Sequence, residues 1–244
     1  MEHKITAIVL AAGQGTRMNA SVAKQFLTLR DKPVLFYSLK AFEDSVVDDI
    51  ILVTGKEQVE YCKSIVKQYE LTKVSCIIEG GKERYDSVYQ GLLRADDTDY
   101  VLIHDGARPF ITPELIKEII DQVRITKACL IGTQVKETIK MINSEGVVIS
   151  TPDRNTLWAA QTPQAFQYES IMMSYQSFYK EPDKERLGIT DDAMLYELYR
   201  KLPVKMLQGD YRNIKLTTPE DLLLAEKILD QMKGINKNAV LNIL

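Results

Sequence analysis

The chain has 244 residues and a formal net charge of −3, long enough to bury the core of one large α/β domain or two small ones. That acidic balance excludes a general nucleic-acid or membrane-surface binder, so phosphate recognition must rest on local cations, with Arg17, Lys24, Arg84, Arg108, Arg154 and Lys215 as candidates. Three widely spaced cysteines and two histidines argue against a CxxC pair or an ordinary zinc site, and the lack of a signal-like start or a long apolar run predicts a soluble, cytoplasmic protein.

The first element is an apolar run, Ile5 to Leu10, of the kind that forms a buried parallel strand. The chain then turns through Ala11-Ala12-Gly13-Gln14-Gly15-Thr16-Arg17-Met18 and returns at Lys24-Gln25-Phe26. Glycines there let backbone N–H groups approach a phosphate, and Arg17 and Lys24 add positive charge, so the segment reads as a triphosphate cradle. It is neither a Walker loop, whose lysine would come much earlier, nor a dinucleotide fingerprint, whose third glycine is replaced here by Met18.

Strand-like runs recur at Ile50 to Thr54, Val74 to Ile78 and Tyr100 to His104, with helical patterns at Val34 to Ala41, Val59 to Tyr69 and Arg84 to Leu93. This alternation predicts a doubly wound, mostly parallel Rossmann-like sheet with its ligand site at the carboxyl ends of the strands. At two of those ends the residues are informative. Gly80-Gly81 ahead of Ser87 can bring backbone and hydroxyl groups against a base or ribose. Asp105 is a hard oxygen ligand suited to Mg²⁺ bridging a triphosphate, and Arg108 offers a planar fork for a phosphate. His104 beside them reads as a structural histidine rather than a base.

Thr112-Pro113-Glu114 starts a further helix with an N-cap and a proline at its first position. From about residue 135 to 152 the pattern becomes a β-hairpin arm: Lys136 to Ile142, a turn at Asn143-Ser144-Glu145-Gly146, and a second strand at Val147 to Ser150. A hairpin alone is marginal in water, so it must pack on its own sheet or on another copy of the chain. Arg154, Thr162 and Lys215 add cationic and hydroxyl groups suited to phosphates on two substrates. Asn213 to Leu216 reads as a last strand, and Thr217-Thr218-Pro219-Glu220-Asp221 caps a helix running to about Met232. One domain over residues 1–233 and a tail over 234–244 are expected.

Taken in order, LAAGQGTRM, KQF, GGKERYDSV, HDGARPF, VKETIK, DRNTLWAAQTPQ, ITDDA and NIKLTTPEDL resemble the 2-C-methyl-D-erythritol 4-phosphate cytidylyltransferases of the non-mevalonate isoprenoid pathway, from about Ile5 to Leu229. The resemblance implies a nucleotidyltransferase fold, CTP and a polyol phosphate as substrates, and Mg²⁺ as cofactor. It implies that Arg17, Lys24 and Lys215 hold the triphosphate and its transition state. Ala11, Ala12, Gly13, Gly15 and Asp105 would line the CTP site, with Gly81 and Ser87 on cytosine and ribose. Asp105, Arg108, Thr138, Arg154 and Thr162 would surround the polyol phosphate, Thr138 and Arg154 reaching across from the partner arm of a homodimer.

Two alternatives stand beside this reading. The related ribitol-5-phosphate cytidylyltransferases share the fold, loop and arm, but Ala11-Ala12-Gly13 and Gly106-Ala107 favour methylerythritol phosphate. A non-catalytic CTP sensor has the same fold, yet would have no use for Arg108, Arg154 and Thr162. The length leaves no room for a fused cyclodiphosphate synthase.

Overall fold

A computed structural model describes residues 3–13 and 23–241, with side chains as far as residue 232. In chain order the elements are β1 (Ile5–Ala11), a small β2–β3 hairpin (Thr28–Leu29 and Lys32–Pro33), α1 (Val34–Glu43), β4 (Asp49–Thr54), α2 (Val59–Gln68), β5 (Val74–Glu79), α3 (Arg84–Arg94), β6 (Tyr100–Asp105) and α4 (Pro113–Thr126). They continue with β7 (Ala128–Gln134), β8 (Met141–Ile142), β9 (Val148–Ser150), β10 (Trp158–Gln167), α5 (Tyr168–Phe178), α6 (Asp192–Arg200), β11 (Lys205–Gln208) and α7 (Pro219–Leu241). The main sheet has the order β11-β7-β10-β6-β1-β4-β5, parallel except for β10, which runs against both β6 and β7.

The central strands are apolar on both faces because helices cover both. Ile5, Ala7 and Val9 of β1 join Ile50 and Leu52 of β4 and Leu102 of β6 in one layer, packed on α1, α2 and α4. The residues between them, Ile8, Ile51, Val53, Val101 and Ile103, point the other way onto α3, α5 and α6. This two-residue alternation places one core on each side of a single sheet. A third cluster of Leu29, Val34, Phe110, Leu216 and Ile228 seats α7 on the β2–β3 hairpin. Thr112 caps α4 by accepting from the Leu115 N–H, with Pro113 in its first turn.

In register, Leu10 pairs with Asp105, Ala11 with Thr54, and Thr54 with Glu79. The carboxyl ends of β1, β4, β5 and β6 therefore lie in one row, and the loops that follow them share one edge.

Three elements differ from the sequence reading. Asn213 to Leu216 is not a strand; the edge strand is β11, a few residues earlier. Asn213 is instead buried and donates from Nδ2 to the Thr162 carbonyl, while the Leu216 N–H donates to the Ala107 carbonyl. These irregular bonds tie the segment to the site loops in place of a ladder. The last helix does not stop near Met232 but continues to Leu241. In the arm, pairing is confined to Met141–Ile142 and Val148–Ser150, because Asn143 Oδ1 accepts from the N–H groups of Glu145 and Val147 and closes the turn locally. Every residue from Lys136 to Thr151 is exposed, so the arm projects from the sheet rather than lying on it.

Gly91 shows how closely α3 sits on β1: a Cβ there would come within 2.5 Å of Ile8 Cγ2. Gly91→Val is expected to destabilise the chain by about 1–3 kcal/mol through overpacking, read as a lower urea midpoint. An unchanged midpoint would mean that the helix can ride outwards at no cost.

Candidate active site

Three loops at the carboxyl edge build the site, and each is held by a buried polar side chain. After β1, Gln25 Nε2 donates to the Ala11 and Gly13 carbonyls at 2.6 and 3.0 Å. Lys24 opens the short 3-10 turn that carries Gln25. Gly15 and Arg17 lie outside the described residues.

After β5, Ser87 Oγ accepts from the Gly81 N–H at 3.1 Å and donates to the Glu83 carbonyl at 3.3 Å. Glu83 and Asp86 form a reciprocal capping box at the start of α3. A Cβ at Gly80 would sit 2.7 Å from the Ala12 Cβ, and one at Gly81 only 2.2 Å from the Asp86 Cβ. The two glycines thus let the loop lie flush between the first loop and the helix.

After β6, the Asp105 N–H donates to Thr162 Oγ1, which also lies 3.2 Å from His104 Nδ1. The Asp105 side chain meets two cations: Lys215 Nζ is 2.7 Å from Oδ2 and Arg84 Nε is 3.2 Å from Oδ1. Burial works against charge on this carboxylate, but Arg84 and Lys215 outweigh it and hold its pKa well below the usual range. Arg108 donates from Nη1 to the Asn213 carbonyl, and its buried Nε has no protein partner. Burial lowers its pKa, which leaves a guanidinium still charged at neutral pH.

Beside a cleft of about 530 Å³ between Ala11, Gln25, Gly55 and Gly80, two cavities of this edge meet at Asp105. The larger, about 670 Å³, runs past Ala12, Gly13, Gly81 and Ser87. The smaller, about 230 Å³, is lined by Arg108, Thr162, Gln164, Thr190 and Asp191. Arg84, Asp105 and Lys215 line both and form the wall where the cavities meet. A nucleotide-sized space and a smaller polar one therefore share a charged boundary.

The candidate residues divide accordingly. Gly13, Gly81, Ser87, Asp105, Arg108, Thr162 and Lys215 come together around the two cavities. Thr138 and Arg154 line neither. Arg154 donates to the Lys136 carbonyl in a separate cleft at the base of the arm, beside Tyr211. Sequence reasoning assigned no role to Gln164, Thr190, Asp191 or Asp192. A pair of acids just before a helical pattern was the available signal for the last two: Asp191 caps α6 at the Met194 N–H, and Asp192 is the first helical residue.

Comparison with known proteins decides between the readings. The family model for 2-C-methyl-D-erythritol 4-phosphate cytidylyltransferase matches residues 5–231. The chain belongs to this family. It is accordingly a nucleotidyltransferase. A Lachnoclostridium phytofermentans protein of that name is 51% identical over 227 residues, covering 93% of this chain and 96% of the relative. One from Lachnospira eligens is 47% identical, covering 90% and 96%. The crystal structure of 4-diphosphocytidyl-2C-methyl-D-erythritol synthase from Anaerococcus prevotii superposes with a TM-score of 0.81 at 33% identity, covering 93% of this chain and 99% of that one. The ribitol and sensor alternatives are not favoured.

His104 stands behind the cation wall, fully buried, edge-on to Phe42 and with Nε2 3.2 Å from the Arg108 carbonyl. Burial lowers its pKa from 6.5 to about 4, so the ring is neutral at pH 7. Nε2 must carry the proton to meet a carbonyl, which leaves Nδ1 to accept from Thr162. With the folded value below the unfolded one, the folded chain binds fewer protons between those limits. Stability from the neutral ring is fully present above pH 6.5 and is lost as pH falls towards 4, on the order of 3 kcal/mol in all. Urea titrations should therefore show the gap between wild type and His104→Asn narrowing across that window. A constant gap would show that the buried imidazole does not control acid stability.

Proposed function

We propose that the two cavities seat the substrates of the family's reaction, transfer of CMP from CTP to 2-C-methyl-D-erythritol 4-phosphate with release of pyrophosphate. The observation that carries this is the shared wall of Arg84, Asp105 and Lys215, where groups from either side can meet. CTP takes the larger cavity, with its base and ribose at Gly81 and Ser87 and its triphosphate towards Ala11, Ala12, Gly13, Lys24 and Lys215. Arg17 and Gly15, outside the described residues, would complete that loop. The polyol phosphate takes the smaller cavity with Asp105, Arg108 and Thr162.

The chemical problem is the approach of two anions. A phosphate monoester with a second pKa near 6 is mostly dianionic at neutral pH, so its oxygen can attack the α-phosphorus without a base. The pyrophosphate oxygen leaves opposite, and charge builds on the α-phosphoryl group. Lys24, Lys215 and Arg17 stay cationic throughout and lower the barrier by position alone. Mg²⁺ would sit against Asp105 and supply charge neutralisation to the triphosphate. The donor set suits it, since Mg²⁺ takes one or two carboxylates together with phosphate oxygens and needs no all-protein cage.

The reading extends to a homodimer. Ile142, Val147, Val148 and Ile149 of the arm are all more than half exposed, apolar side chains on both faces of the hairpin that a second copy would cover. Thr138 and Arg154 would then reach the partner's smaller cavity. A cytoplasmic location, without nucleic-acid or membrane partners, fits the acidic chain, and no described helix is long and apolar enough to cross a membrane.

Pyrophosphate release with CTP should be strong for methylerythritol phosphate and weak for ribitol 5-phosphate; the reverse order would reassign the substrate. Lys215→Ala is expected to lower kcat about 100-fold or more, and near-normal turnover at saturating CTP would remove it from the transition state. The dimer has its own test. Arg154→Ala and Arg108→Ala chains, each poor alone, should regain activity when mixed, because one pocket of each heterodimer keeps both arginines. Heterodimers seen by native mass spectrometry without recovered activity would assign Arg154 to its own subunit.

A further inference from the structure

Arg84 occupies a position that electrostatics disfavours. It is the first residue of α3, where the helix macrodipole repels a cation. It is kept there by two carboxylates from distant parts of the chain. Nη1 and Nη2 meet Asp192 Oδ1 and Oδ2 at 3.1 and 2.8 Å, and Nε meets Asp105 Oδ1. A bidentate fork on one carboxylate leaves the guanidinium little freedom to rotate, so the direction of Nε is set by Asp192.

Asp192 is itself anchored. Its side chain is fully buried, and Oδ1 accepts from the Tyr175 hydroxyl at 2.6 Å. The Asp192 and Ala193 N–H groups donate to Gln164 Oε1 at 3.1 and 2.9 Å, pinning the start of α6 to β10. Lys215 is the contrasting member of the cluster: its side chain is 34% exposed and it holds only the other oxygen of Asp105.

On the reading of the site given above, Lys215 must serve a phosphate, yet in this structure it serves Asp105. Without a second partner, Asp105 would have no ion-paired side chain once Lys215 moved, and so would retain it. We propose that Arg84 and Asp192 are positioning residues for the transfer step: Asp192 locks the Arg84 guanidinium, and Arg84 holds Asp105 in place while Lys215 passes from Asp105 to a phosphate oxygen. Neither residue needs to touch the reacting atoms. Their effect falls on how readily Lys215 becomes available as charge develops.

The test measures pyrophosphate release by the full chain with CTP and 2-C-methyl-D-erythritol 4-phosphate, each varied in turn, together with thermal melting. Asp192→Asn breaks the bidentate pair while keeping the volume, and is expected to lower kcat about 10-fold or more while both KM values stay within about 3-fold. Arg84→Lys, which can reach one carboxylate but not both, should reproduce that split, and it carries the test if Asp192→Asn does not fold. The double variant should be no worse than the weaker single one by more than about 2-fold, as for residues that act as a unit. Lowered melting with unchanged kcat, a defect confined to KM, or losses that multiply in the double variant would each overturn the proposal and leave the two residues structural. A wild-type chain that releases no pyrophosphate from these substrates would overturn the underlying reading, and the proposal with it.

Discussion

The site depends on one buried carboxylate. Asp105 ends a strand whose other residues, including the neutral His104, are inaccessible, in a place where an isolated charge would cost several kcal/mol and be neutralised by a proton instead. It remains ionised because Arg84 approaches one oxygen and Lys215 the other. That requirement draws together the start of α3, the end of β6 and the segment before α7, which are otherwise unrelated in the chain. The boundary between the two cavities is made from the same three residues, so the condition for keeping Asp105 charged is also what shapes the place where two substrates can meet.

The loops around it follow a common rule. Chain that leaves a sheet edge and folds back over it carries backbone groups with no ladder partner, and these must be paired before they can be buried. Gln25, Ser87, Thr162 and Asn213 do this work, each nearly inaccessible and each bonded to the backbone of a neighbouring loop. Gln25 and Asn213 fix the loops from behind, while Ser87 and Thr162 fix them and also line the cavities beside the lysines, arginines and backbone that face the ligand. The buried polar residues at this end of the molecule are thus the counterpart of the two apolar layers further down the strands.

What was legible in the sequence follows from the same division. β1, β4 and β6 announce themselves because a strand covered on both faces reads as a nearly continuous apolar run, and the half-buried edge strand β5 still shows Val74, Cys76, Ile77 and Ile78. β10 is hidden for the opposite reason. Its centre is Gln161-Thr162-Pro163-Gln164, whose polar side chains face the cavity and whose register shifts between Ala160 and Gln164, so the stretch reads as loop. Asn213 to Leu216 fails in the other direction: alternation suggested a strand where side-chain bonds, not a ladder, hold the backbone. Arg84 was visible as a cation, but its partner Asp192 lies 108 positions away and no local spacing could join them. Local pattern reveals elements with a continuous face; it is silent on pairs made by the fold.

On the proposed reading, the charge around the smaller cavity would give the arm a physical purpose. Arg84 is matched by Asp192, and Lys215 by Asp105, which leaves Arg108, among the described residues, as the one lining cation without a carboxylate of its own, with Asp191 also on the wall. A phosphate near two negative charges is poorly served by such a balance. Among the described residues, the walls of this cavity offer no further cation. Arg154 is available at the base of an arm that leaves its own site and exposes Ile142, Val147, Val148 and Ile149. Burying those apolar side chains against a second copy would supply the association energy, while the arginine would supply a further positive charge. In the proposed dimer, the segment that one chain cannot pack is also the segment that the other chain's phosphate pocket lacks.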